Sequence, residues 1–331
     1  MLQYCRGSMR NRTLLITCLL IASIAAIAAL AVFRRSTAVA PAGARRLKVV
    51  ATIFPLYDMA RFIGGGKAEV SLLLPPGVEA HSFEPKPGDM ARISEADIFI
   101  YTGKFMEPWA EDLIKGVAAG GLLAVDAGRG IKLMREPGQE RGKSEAAPDP
   151  HIWLDFDNAK AMAGNIAAAF EAKDPAGREA YRRAYAAYER GLSALDAAYA
   201  SGLSACRTRE IIYGGHYAFG YPARRYGLKY LAAQGLSPDS EPTARDLAAL
   251  VEQVKKDGVK FIFYEELASP RIAGTVASET GAEMLPLSAA HNLTREQLSR
   301  GVSFFDILQS DLESLKTGLE CRRLRIDQGK P

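Results

Sequence analysis

Residues 174–203 read DPAGREAYRRAYAAYERGLSALDAAYASGL. Asp174-Pro175 is a helix start, because a proline in the first turn gives up an N–H that would have had no helical partner. From there Tyr181, Tyr185, Tyr188, Leu192, Leu195, Tyr199 and Leu203 recur at spacings of four and three, which puts them in one apolar stripe on one helix. Thirty residues make a rod of about 45 Å, long enough to connect two domains rather than sit inside one.

The sequence on either side of this rod alternates between two kinds of segment. Upstream, KVVATIF (48–54), VSLLL (70–74), DIFIY (97–101) and LLAV (122–125) are short, apolar and β-branched, the mark of buried parallel strands. Amphipathic stretches end near Phe62 and run through 89–95, 107–117 and 158–172. Downstream, REIIY (209–213), LKYLA (228–232), KFIFY (260–264) and EMLPL (283–287) read as strands, with helices at 243–257, 270–280 and 300–317. Strand–helix alternation of this kind predicts α/β domains with mostly parallel sheets. The expected architecture is two similar α/β lobes, 47–173 and 207–331, joined by a connecting helix over 174–206, with a cleft between them. Residues 127–148 are polar and bear Gly and Pro, a surface loop.

The formal charge of +4 over 331 residues belongs to the leader. Residues 1–46 contain Arg6, Arg10, Arg12, Arg34, Arg35, Arg45 and Arg46 and no acid. The remainder therefore holds 35 of the 42 basic groups against all 38 acids, and no basic face is available for nucleic acid. Residues 13–33 carry no charge and are long enough to cross a bilayer. They read as a membrane anchor or signal segment, with Ser36–Arg46 as a linker. The length and the Arg34-Arg35 pair favour the anchor, and Cys18 reads as a thiol buried within it. An extracytoplasmic body follows. Oxidising compartments permit disulfides, so Cys206 and Cys321, both at predicted helix ends, are either bridged or two separate buried thiols.

The chain contains four histidines, His81, His151, His216 and His291, two in each expected lobe. His81 (LPPGVEAHSFEP), His216 (YGGHYAFGY) and His291 (LSAAHNLT) follow predicted strands; His151 (PDPHIWLD) opens a turn before a helix. Gly214-Gly215 would let the chain turn sharply before His216. Open α/β sheets bind ligands beyond the carboxyl ends of their strands. A single histidine is ordinarily a hydrogen-bonded polar side chain; four at equivalent loops point to a shared ligand. Neutral imidazole suits Zn, Cu, Fe or Ni rather than Mg, Ca or Mn, and a closed set of four nitrogens fits Zn²⁺ held without a catalytic water. No HExxH or CxxC pair occurs, so both lobes would have to contribute to such a site.

Several segments resemble the ZnuA/TroA-like metal-binding proteins of ABC transporters. They are VVATIFPLYDMARFIGG, LLPPGVEAHSFEPKPGDMARISEADIFIYTG, DPHIWLD, HYAFGYPARRYGLK and SPDSEPTARDLAALVEQVKKDGVKFIFYEE, and with the C-terminal helix they run in order from about Lys48 to Leu319. The resemblance implies two α/β lobes, a connecting backbone helix, a metal between the lobes, and delivery to a permease and its ATPase without catalysis. By position His81, His151 and His216 match the family's first three ligands, and a histidine at the third resembles the zinc-type members. The fourth is usually Asp or Glu; here Ser288 stands about where that acid would, and His291 is the replacement. Glu241, Glu265 and Glu266 are alternatives whose ordinary reading is a salt bridge or helix cap. Trp153 and Asp155 are candidates to orient His151. Tyr217, Phe219 and Tyr221 read as packing. The long His-rich loop of many zinc-type relatives has no counterpart in GRGIKLMREPGQERGKSEAAP.

These readings predict a monomeric solute-binding protein with Zn²⁺, or Mn²⁺ or another divalent ion, as its transported ligand. It would serve an ABC permease and ATPase and be tethered to the membrane by its N-terminal segment. A zinc hydrolase with an open coordination position and a metal-binding surface adhesin are the competing classes. Metal binding should weaken steeply as pH falls through the imidazole range near 6.5.

Overall fold

The computed structural model describes residues 45–117, 121–135, 147–236 and 242–322. The expected anchor at 13–33 and its linker lie outside the described residues, as does Glu241. No helix of the described residues is long and apolar enough to cross a membrane.

The first sheet is built from β1 (Leu47–Ala51), β2 (Ala68–Leu72), β3 (Ile98–Tyr101) and β4 (Leu123–Asp126) in the order β2-β1-β3-β4. Every pairing is parallel, with Val49 beside Val70 and Ile98, and Ile100 beside Val125. All four residues of β3 are buried, as expected of a strand covered on both faces. Helices α1 (Phe54–Gly64), α2 (Pro87–Ser94) and α3 (Ala110–Val117) supply the crossovers. The apolar run 48–54 does not stay a strand throughout: β1 ends at Ala51, and Phe54-Pro55 open α1, whose Phe54, Leu56, Met59, Ala60 and Ile63 are buried. A short apolar run carries no mark that separates strand from buried helix; here Pro55 in the first helical turn decides it.

Helix α4 (Phe156–Lys173) packs against α1, and α5 (Arg178–Gly202) is the connecting helix. A single 3₁₀ turn, Pro175–Gly177, precedes it. Its 25 residues span about 38 Å. Tyr181, Tyr188, Leu192, Leu195 and Tyr199 are buried along one stripe, Tyr185 only partly so. The stripe lies on α1 and α4 on one side and on the C-terminal helix on the other.

The second sheet repeats the first with β5 (Glu210–Tyr213), α6 (Gly220–Tyr226), β6 (Lys229–Ala232), α7 (Ala244–Asp257), β7 (Phe261–Tyr264), α8 (Arg271–Thr280) and β8 (Glu283–Pro286), strand order β6-β5-β7-β8, all parallel. The short α9 (Arg295–Ser299) and α10 (Phe304–Gly318) are the last elements among the described residues. The expected two-lobed α/β fold with a connecting helix is thus what the chain adopts, and α6 and α9 are the helices that sequence reading passed over. At seven and five residues they are too short to show a period.

Cross-links bind the two sheets and the connecting helix into one compact unit from Arg46 onward. Arg225 of α6 reaches Asp196 of α5 (2.9 Å) and Asp157 at the start of α4 (2.9 Å). Cys206, just past α5, is disulfide-bonded to Cys321, just past α10, which resolves the alternative left open by the sequence.

Candidate metal centre

The four histidines come from four connections; three of them meet, and the fourth, His291, stands beside them. His81 lies in the β2–α2 loop, His151 in the β4–α4 connection, His216 directly after β5 and His291 after β8. His151 Nε2 is 3.1 Å from His81 Nε2 and 3.1 Å from His216 Nε2. Zinc–nitrogen bonds of about 2.0–2.1 Å in a tetrahedron place donors about 3.3–3.4 Å apart, so these three nitrogens already stand nearly at coordination spacing. His151, His216 and His291 are buried; His81 is the partly exposed one. It also walls a hollow of about 520 Å³ beside Phe83 and Trp109. His291 sits a step outward: its ring centroid is 6.0 Å from His216 and 6.4 Å from His81, against 5.0–5.2 Å among the other three. It groups instead with His216 and Glu265.

What stands behind each imidazole fixes which nitrogen faces inward. His151 Nδ1 is 2.7 Å from Asp149 Oδ1, and His216 Nδ1 is 2.8 Å from Glu265 Oε2. A carboxylate accepting from Nδ1–H leaves the Nε2 lone pair free for an ion and raises the ring's basicity. The expected orienting residues are therefore corrected. Asp155 instead caps α4, accepting from Asp157 N and Asn158 N, and pairs with Arg225. The Trp153 indole donates to Ala289 O (2.8 Å), tying the His151 turn to the loop before His291. Glu265 is not a helix cap: it is paired with His216 and buried against it. Glu266 is exposed. Ser288 is a loop staple, its N–H donating to Asp311 and its hydroxyl accepting from Ala290 N.

Two carboxylates unnoticed in the sequence, Glu79 and Asp149, share one signal. Each stands two residues before a histidine, in Glu79-Ala80-His81 and Asp149-Pro150-His151, and accepts that histidine's backbone N–H at 3.0 Å. The spacing was legible in principle. Asn292, also missed, donates from Nδ2 to Pro75 O and Val78 O and so fastens the His81 loop to the His291 loop. Ala290, just before His291, holds a left-handed φ of 56°, a conformation costly for a residue with a Cβ. The hydrogen bond of Ala290 N to the Ser288 hydroxyl and that of Phe54 N to His291 O keep it there.

The chain bends at Gly214 and Gly215, as expected, without a positive φ at either, and the two glycines also serve close approach. A Cβ on Gly214 would lie 2.4 Å from Ala273 Cβ, and one on Gly215 would lie 2.6 Å from the Tyr213 ring and 3.1 Å from Glu265 Oε2. The second glycine therefore leaves room for the carboxylate behind His216. Tyr217 and Phe219 pack on Tyr230 and Tyr213, as expected. Tyr221 does more: its hydroxyl donates to Asp149 O and accepts from Met134 N.

Burial and the neighbouring rings push His81 down to about 3. His151 is lowered by the same two causes. Burial likewise lowers His291, against the pull of Glu265 and Glu79. Burial also disfavours charge on His216, but the Glu265 carboxylate overrides it and the ring is raised. Three imidazoles are therefore held neutral, the form that binds metal.

The family described as "ZnuA: Zinc-uptake complex component A periplasmic" matches residues 49–318. The chain belongs to the ZnuA family. Among its relatives, the high-affinity zinc uptake system protein ZnuA of Bacillus subtilis is 37% identical over 281 residues, covering 83% of this chain and 88% of that one. The zinc-binding lipoprotein AdcA of Streptococcus pneumoniae is 35% identical over 280 residues, and the match spans 82% of this chain but 55% of AdcA. The solved Zn(II)-bound ZnuA-like domain of S. pneumoniae AdcA superposes with a TM-score of 0.72 at 34% identity, over 83% of this chain and 99% of that domain. The laminin-binding protein Lmb of Streptococcus agalactiae, described as bifunctional with adhesin and metal-transporting activity, gives 0.75 at 31% identity, over 83% of this chain and 100% of Lmb. A ZnuA-family chain is a solute-binding transport component and not an enzyme, which removes the hydrolase reading.

Proposed function

We propose that this protein captures Zn²⁺ outside the cytoplasm and delivers it to the permease and ATPase of an ABC importer. The observation that carries the reading is the convergence of His81, His151 and His216 Nε2 at 3.1 Å spacings, two of them backed by buried carboxylates. Nitrogen donors in a buried pocket favour Zn²⁺ over Mn²⁺. We assign His81, His151, His216 and His291 as the metal-binding residues, His291 supplying the fourth donor from the outer edge. The chain acts as a monomer with a lobe on each side of the connecting helix (47–173 and 207–331), tethered by residues 13–33. The helix packs on both lobes, and the Cys206–Cys321 bridge ties its end to the chain's last helix. Wide lobe opening is opposed by this arrangement, so release proceeds by moving the His81 loop. Equilibrium dialysis with elemental analysis of the purified protein should find one tightly held Zn²⁺ per chain; none, or a site indifferent to His151→Ala, would overturn the assignment.

A further inference from the structure

Glu265 has a second oxygen that the orienting role does not use. Oε2 holds His216 Nδ1, while Oε1 is buried, has no hydrogen-bond partner among the described residues, and stands 3.9 Å from His291 Nε2. Glu79 Oε2 stands 4.0 Å from the same nitrogen. The other oxygen of Glu79 accepts the His81 N–H, and its side chain is 30% exposed, the part of this group that reaches solvent. His291 Nδ1 is also buried without a partner among the described residues. A buried carboxylate oxygen left bare is costly in a folded chain, and here it faces the His291 Nε2 rather than a donor. A cation held between them removes the cost.

We propose that Glu79, Glu265 and His291 form a second, transient Zn²⁺-holding position, adjoining the three-histidine cluster and passing the ion to and from it. This rests on the reading of the chain as a zinc-capture protein. The donor set is one nitrogen and two carboxylate oxygens. Each carboxylate oxygen must close on His291 Nε2 by about half an ångström to reach the tetrahedral spacing of about 3.4 Å, and the two carboxylates, which stand farther from each other than either does from the ring, must close further still. That makes this position looser than the inner one and suits it to a brief stay. Glu265 joins the two positions, one oxygen on His216 and one toward His291. Hydrated Zn²⁺ arriving at Glu79 exchanges its waters one at a time, first for Glu79, His291 and Glu265, then for His216, His151 and His81. No step strips the whole hydration shell, and departure retraces the same order.

A waystation speeds both directions, whereas an ordinary fourth ligand slows only departure. Stopped-flow uptake and release of Zn²⁺ by the purified full chain, followed with a fluorescent zinc chelator, separates the two. In Glu79→Gln the amide oxygen still accepts the His81 N–H, so the loop keeps its anchor. Both rates should fall by about tenfold, the lower end of what losing a metal-supporting partner costs, with Kd moving less than about threefold. The slowing should persist in about 1 M salt, where the screening length is about 3 Å. Glu84→Gln, an exposed carboxylate in the same loop, should slow association at low salt only, as plain steering does. The proposal falls if Glu79→Gln leaves both rates within twofold of wild type, behaves like Glu84→Gln, or raises the release rate alone. Wild-type protein that takes up no Zn²⁺ would instead remove the capture reading on which it stands.

Discussion

Replacing Asn292 by alanine should loosen the grip on Zn²⁺ without touching a ligand. Asn292 is 1% exposed, and its side-chain amide donates to Pro75 O at 2.9 Å and Val78 O at 2.8 Å. Those carbonyls belong to the loop that presents His81, and Asn292 itself follows His291, so the two bonds lock one histidine-bearing loop onto the other. A net contribution of about 1 kcal/mol for each bond gives about 2 kcal/mol. Pro75 and Val78 are exposed, but the buried Leu293 N–H, which the Asn292 side-chain oxygen accepts at 2.7 Å, loses its partner and adds to the cost. The bond from Gly77 N to Leu293 O (2.8 Å) survives and keeps the loop from detaching. If the loop's order is felt in the bound state, about 2 kcal/mol is about a 30-fold rise in Kd. Competition against a chelator of known affinity measures it, with circular dichroism as the check on folding. Asn292→Asp is more severe, because it turns a carboxylate toward two carbonyl oxygens. A folded Asn292→Ala protein within threefold of wild type, or an Asp variant that binds as tightly, would refute the reasoning.

Two further outcomes follow from the electrostatics and the cross-link. Zn²⁺ needs the imidazole lone pair, and of the four rings only His216 is raised, Glu265 overriding its burial, while His81, His151 and His291 are lowered. Binding should therefore release no proton above the His216 pKa and about one below it: apparent Kd is flat above that pKa and rises about tenfold per pH unit below it. Calorimetric titration in two buffers of different ionisation enthalpy counts that proton, and a release of three or four would contradict the geometry. This is shallower than the steep imidazole-range dependence expected from the sequence, because burial has already removed the other protons. Cys206 and Cys321, separated by 115 positions, close a loop whose chain-entropy value is about 5 kcal/mol. The Cys206→Ser/Cys321→Ser protein should lose several kcal/mol in urea unfolding with its Zn²⁺ affinity little changed; an unmoved midpoint would show that the bridge constrains nothing.

The sequence alone determined most of the elements and the two-lobed plan, though not the short helices α6 and α9 or the order of strands within each sheet. Strand and helix periods are local and repeated, so Ile98–Tyr101, Glu210–Tyr213 and the Tyr181–Tyr199 stripe could be read from neighbours a few residues apart. It also offered the four histidines as candidate ligands, because ligand loops in such sheets follow strand ends. Tertiary structure alone decided what stands behind each ring. Asp149, not Asp155, holds His151; Glu265, 49 residues from His216, holds that ring with one oxygen and faces His291 with the other. Asn292 reaches a carbonyl 217 positions away. Apart from Asp149, two residues before its ring, such partners follow no local spacing: they are chosen by which groups the packed molecule brings within about 3 Å of each other, within one lobe for Glu265 and across the two for Asn292.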